Sequence, residues 1–111
     1  MSGSIEFHRV AKTSDLADGS MISAKIGSVE VLVARIGDDY FAIDAWCSHE
    51  AGYLLQGILH AKLCEVECPI HESTFDLRTG ESTMPPAEDP VLTFPVKIEG
   101  DDVLVGTSGE S

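Results

Sequence analysis

Turn-forming residues cut this chain into short β-branched stretches, and none of ten or more residues carries a sustained helical stripe. That punctuation limits the fold more than any other feature. Residues 5–10, 21–26, 29–36 and 40–45 read as strands, rich in Val, Ile, Tyr or Phe. Gly27-Ser28 joins two of them as a two-residue turn with glycine first, and Gly37-Asp38-Asp39 makes the next reversal. The stretch from Asp15 to Gly19 is the expected loop between the first two strands. Residues 46–60 lose the period and read as a loop-rich insert with room for one helical turn. A strand is expected over 62–67, where Glu65 and Glu67 alternate with an inward Cys64 and Val66. Another is expected over 73–77, closed by Arg78-Thr79-Gly80, before Met84-Pro85-Pro86 interrupts the ladder. Alternation resumes at 91–98 and 103–105, with Pro95 marking an edge or a bulge, and residues 107–111 read as a tail. The expectation is one all-β domain over 1–111, a sandwich or barrel base from about 1–45 and 87–106, with residues 46–86 as a smaller cap.

Composition narrows the partners. Seven basic against nineteen acidic side chains leave a formal charge of −12 on 111 residues. No dense basic face can be built from that set, which excludes a nucleic-acid partner and favours basic protein surfaces. No apolar run approaches the roughly 18–20 residues that cross a bilayer, and the N-terminus has no secretory pattern, so no membrane partner and a cytoplasmic location are expected. Three cysteines cannot all pair, which argues against a disulfide framework.

Two of the three occur in matched settings, Cys47-Ser48-His49 and Cys68-Pro69-Ile70-His71, separated by the eighteen residues 50–67. Each loop supplies one sulfur and one imidazole. A structural zinc site also takes two Cys and two His, but zinc fingers pair like with like along the chain. Two irons bridged by sulfides instead call for a thiolate pair on one metal and an imidazole pair on the other, which two facing Cys/His loops can provide. Outside this set no acid–base pair or activated nucleophile appears, so a catalytic role is not indicated.

With these motifs, with Ser73-Thr74-Phe75-Asp76-Leu77-Arg78-Thr79-Gly80 behind the second loop, and with the Pro85-Pro86 segment, the chain resembles the Rieske-type [2Fe-2S] proteins over nearly its whole length. Within them it is similar to the small ferredoxins of bacterial aromatic-ring dioxygenase systems. The resemblance implies a Rieske-type antiparallel β-sandwich with a small cluster-binding subdomain. It implies one [2Fe-2S] cluster, with Cys47 and Cys68 on one iron and His49 and His71 on the other, covered by the two loops and the proline segment. It further implies that Ser73 donates to a bridging sulfide, where the bland reading is a turn serine.

Respiratory relatives carry a loop-linking disulfide where this chain has Gly52 and Ile70, and a tyrosine where it has Phe75. Both absences imply a potential near the negative end of the Rieske range of about −150 to +300 mV. Glu72 replaces the usual glycine and adds a negative charge beside the centre. The cluster starts from zero net charge when both imidazoles are neutral, which makes it easier to reduce than a four-cysteine cluster at −2.

The implied function is one-electron transfer, as a monomer and without catalysis, from an NAD(P)H-dependent flavoprotein reductase to a terminal ring-hydroxylating oxygenase. The alternatives are a fixed subunit like the small subunit of nitrite reductase, and a zinc-stapled binding module. Among the remaining candidates, Trp46 is expected in the core, Cys64 as a small buried hydrophobe, His8 and His60 at the surface or in turns, and Glu50 or Glu72 at a partner contact.

Overall fold

A strand buried on both faces organises the fold. The computed structural model describes residues 5–47, 52–70, 73–84 and 89–107, and among them the strands are β1 (Glu6–Lys12), β2 (Ser20–Ile26), β3 (Val29–Ile36), β4 (Asp39–Asp44), β5 (Ile58–His60), β6 (Glu65–Glu67), β7 (Thr74–Asp76), β8 (Ser82–Met84), β9 (Thr93–Phe94), β10 (Val96–Glu99) and β11 (Asp102–Thr107). They form three antiparallel sheets, ordered β1-β11-β10, β2-β3-β4-β9 and β5-β6-β7-β8. The all-β expectation holds.

In β3 the residues Val31, Leu32, Val33 and Ala34 are all buried. Val31 and Val33, with Ala42 of β4, pack with Leu16, Val103 and Val105 on the side of the first sheet. Leu32 and Ala34, with Ile43, pack on the other side with Val66 and Phe75 of the third sheet. The second sheet therefore shares one core with each of its neighbours, and each fully buried aliphatic side chain contributes about 1.5–3 kcal/mol. Cys47 and Cys68 belong to the core on the third-sheet side, together with Leu54, Leu77 and Val91.

The first hairpin follows from the sequence. Ile26 pairs with Val29 across Gly27-Ser28, and Gly27 takes the positive φ of 62° that the first position of such a turn requires. Four expectations need revision. Residues 91–98 do not form one strand: the chain changes sheets at Pro95, with β9 on β4 and β10 on β11. A residue without an N–H suits the corner, and its carbonyl is still used, accepting the Gly106 amide at 2.9 Å. The strand expected over 62–67 starts only at Glu65, because Ala61–Leu63 form a 3-10 turn that ends at Cys64 in the left-handed conformation, φ 57° and ψ 47°. The insert at 46–60 holds its one helical turn, the 3-10 turn Leu54–Gln56, but β5 and β8 form where no strands were expected. Pro85 and Pro86 lie outside the described residues.

Candidate metal centre

Each cysteine stands at the mouth of a loop closed by main-chain hydrogen bonds. The first loop leaves β4 through Ala45 and Trp46. Cys47 N donates to Gly52 O at 2.8 Å, Leu54 N donates to Ala45 O at 2.8 Å, and Trp46 and Tyr53 form an isolated antiparallel bridge between them. The stem is fastened to the central strand by Ala45 N donating to Glu30 O at 3.1 Å. The second loop joins β6 to β7, and Cys68 N donates to Ser73 O at 2.7 Å across it. Asp76 stiffens the turn after β7: its carboxylate accepts from the Arg78 amide at 2.7 Å and from the guanidinium at 3.2 and 3.1 Å. That guanidinium holds the Asp76 carboxyl below its ordinary value.

Both cysteines are buried and neither forms a disulfide. They converge on Gly52. A Cβ built on this glycine would lie 2.5 Å from Cys68 Sγ and 3.5 Å from Cys47 Cβ, so a side chain there would have to displace the Cys68 sulfur. Two buried sulfur side chains from separate loops, meeting at one glycine without bonding to each other, fit the thiolate half of a diiron centre. His49 and His71, expected to supply the imidazoles, lie outside the described residues, as do Glu50 and Glu72. Among the described residues no group of three or more potential metal ligands is assembled.

Gly52 thus does more than occupy the place of a disulfide cysteine, a role that its position in the sequence did not reveal. Ile70, the other half of the missing bridge, is exposed, with its Cδ1 3.4 Å from that same Cβ position. Phe75 is fully buried behind the cysteines and presents no hydroxyl, and Ser73 is buried beside the second loop.

Several other candidates fall elsewhere. Trp46, expected in the core, is 42% exposed, its ring lying against Tyr53 with centroids 4.8 Å apart. The Asp44 carboxylate accepts the Trp46 amide at 3.0 Å and turns the chain outward at this point. Cys64 is half-buried in its turn, not inward on a strand; its carbonyl accepts the Leu77 amide at 2.9 Å, and burial pushes its thiol up, away from reactivity. His60 ends β5 with Nε2 2.7 Å from a Glu67 carboxylate oxygen, and His8 lies 3.5 Å from the Thr107 hydroxyl; both are partly exposed, as expected.

The sequence reading missed Tyr53. Its hydroxyl donates to Glu30 Oε2 at 2.6 Å and is hydrogen-bonded to Ser23 Oγ at 2.8 Å. The Glu30 carboxylate raises the phenol above its ordinary 10.0, while Ser23 pulls the other way. Nothing in the local pattern around residue 53 points to partners on β2 and β3.

The sequence profile of the family described as "Rieske [2Fe-2S] domain" matches residues 6–95. The ferredoxin component of biphenyl 2,3-dioxygenase from Rhodococcus jostii (strain RHA1) is 40% identical over 101 residues, covering 91% of this chain and 92% of that protein. The ferredoxin of carbazole 1,9a-dioxygenase from Nocardioides aromaticivorans IC177 superposes with a TM-score of 0.87 at 39% identity, covering 89% of this chain and 95% of that one. A ferredoxin in a complex of reduced oxygenase and oxidized ferredoxin in carbazole 1,9a-dioxygenase superposes with a TM-score of 0.84 at 28% identity, covering 94% of each chain.

Proposed function

The chain belongs to the Rieske [2Fe-2S] family and carries one [2Fe-2S] cluster, and we propose that Cys47 and Cys68 hold one iron and His49 and His71 the other. Its role is that of a ferredoxin component, an electron carrier without catalysis of its own. When bound, the cluster takes up and releases one electron at a time. The two loops hold it, and the apolar core formed by Leu54, Val66 and Phe75 keeps water from the sulfur side. The observation that carries the ligand assignment is the convergence of two buried cysteines on Gly52 inside the matched family region.

The proposed partners are a flavoprotein reductase as donor and a terminal ring-hydroxylating oxygenase as acceptor, met in turn by a cytoplasmic monomer. The oxygenase is supported by the ferredoxin–oxygenase complex known for the carbazole system. The division into a base of about 1–45 and 87–106 and a cluster-binding part of about 46–86 belongs to the same proposal; in its support, β5–β8 pair only with one another among the described residues. Among those residues no helix is long and apolar enough to cross a membrane. A net charge of −12 predicts encounters steered toward basic partner surfaces. Electron-transfer rates measured from low to high ionic strength should fall, and a flat profile removes the steering from the account.

The direct test is iron, acid-labile sulfide and the electron paramagnetic resonance spectrum of the reduced protein. We expect equal iron and sulfide and a Rieske-type signal, lost together in Cys68→Ser and altered in His49→Cys. Zinc in place of iron, or visible bands unchanged by both substitutions, overturns the assignment.

A further inference from the structure

Glu30 grips the first ligand loop at two points. Its main-chain carbonyl accepts the Ala45 amide at the entry, and its carboxylate accepts the Tyr53 hydroxyl at the exit. Between these points lie Trp46, Cys47 and Gly52, with the Cys47–Gly52 main-chain bond and the Trp46–Tyr53 bridge running across the loop. Ser23 and Glu30 stand on neighbouring strands, and Ser23 pairs with Leu32, whose side chain belongs to the core shared with the cysteines. The phenol has one proton, and the carboxylate is the stronger acceptor, so the Ser23 hydroxyl donates in the second contact. Above this latch the Tyr53 ring supports the half-exposed Trp46, immediately before Cys47. Below it Tyr53 is bonded to Gly52, the residue against which Cys68 Sγ packs. A rotation of Tyr53 is therefore passed through the backbone to Gly52, which both cysteines approach.

We propose that Tyr53, clamped by Glu30 and Ser23, is a positioning residue for the cluster: it sets where the first ligand loop, and Cys47 within it, stands relative to Cys68. This rests on the ligand assignment above. The Ala45–Glu30 main-chain bond anchors the entry of the loop to the sheet, and the Tyr53 side-chain bonds to Glu30 and Ser23 add a second anchor at its exit. The ring alone does not do so, because a tilted aromatic contact with a surface tryptophan permits sliding.

The test uses the holoprotein and three variants, Tyr53→Phe, Glu30→Ala and Glu30→Gln. Tyr53→Phe keeps the ring and the core, so folding is retained. We expect Tyr53→Phe and Glu30→Ala to shift the g-values of the reduced protein and to lose visible absorbance to a chelator about tenfold faster, the size expected for losing one hydrogen bond. Glu30→Gln retains a carbonyl acceptor and should restore the wild-type spectrum. Trp46 is the only tryptophan in the chain, so its emission reads the Trp46–Tyr53 contact directly and should move to the red in the first two variants. A residue that merely stabilises the fold would lower the melting temperature and leave the g-values in place. Wild-type g-values, chelator rate and Trp46 emission in Tyr53→Phe overturn the proposal, as does a Glu30→Gln protein that behaves like Glu30→Ala. A wild-type protein without an iron–sulfur signal takes down the ligand assignment and this inference together, whereas effects confined to the variants of a wild type that has the signal support both.

Discussion

The sheet β2-β3-β4-β9 and the sheet β5-β6-β7-β8, the one in the proposed base and the other in the proposed cap, are built from the same kinds of residue but held in different ways. In the base, β2, β3 and β4 run for 7, 8 and 6 residues with unbroken registers, and side chains from β3 and β4 enter both cores. In the cap, β5 to β8 are three residues each, separated by 3-10 turns and loops, and the register shifts within the β7–β8 pair. A three-residue strand gains little from its ladder. Its position depends on what its ends are tied to: Cys68 to Ser73, Tyr53 to Glu30, and both cysteines to Gly52. Long registers and two-sided burial hold β2 to β4, whereas the short strands β5 to β8 depend on the core they share with β3 and β4 and on these few locks around the proposed centre.

Three substitutions can break or sharpen that contrast. Gly52→Val should have the largest effect: a branched side chain there meets Cys68 Sγ and Ile70, so iron content should collapse while the strand signal of the base persists in circular dichroism. Wild-type iron content in this variant shows that the loops can part without cost and that the close approach is incidental. Ile43→Ala comes next. It empties space in the core that the base shares with the cap and should cost about 2–5 kcal/mol in denaturant unfolding, with the cluster retained while the protein is folded. Loss of colour before unfolding would mean that the base does not stand independently of the cap.

Asp76→Asn should be the smallest and shows itself through pH. The Arg78 guanidinium holds the folded-state carboxyl below its ordinary 3.8, so the folded protein binds this proton more weakly than the unfolded chain. The stabilisation is fully present above 3.8 and disappears as pH falls through the lower, folded value. The wild type should therefore lose stability over that acid range by an increment that Asp76→Asn lacks. The ion pair is partly exposed, so salt should shrink the difference. Matching acid profiles for the two proteins remove this lock from the account of the turn.

Much of the base was legible because its signals are local. The β3 boundaries follow from Gly27-Ser28 and Gly37-Asp38 on either side of a β-branched run, and period 2 finds the flanking strands to within a residue or two. The two cysteines proposed as ligands stand out in the sequence because C-x-H and C-x-x-H are dense in unusual residue types. Trp46 was misread because size and apolarity favour burial, and nothing in its neighbours tells that Asp44 turns the chain outward. The strand expected over 62–67 begins too early because a short alternation does not show where the turn before it ends; its last three residues are β6. Glu30 is 23 positions from Tyr53, so their latch leaves no local trace.

From its own residues the chain determined an all-β framework, an acidic surface, and two loops that each offer a sulfur and an imidazole, since all of these depend on neighbours along the backbone. Tertiary structure alone decided that β3 is covered on both faces, that Pro95 is a corner between sheets, that Gly52 is the meeting point of the cysteines, and that Tyr53 ties their loop to the base. The physical reason is common to all four: each depends on the distance between groups far apart in the chain, and distance of that kind is set by how the layers pack.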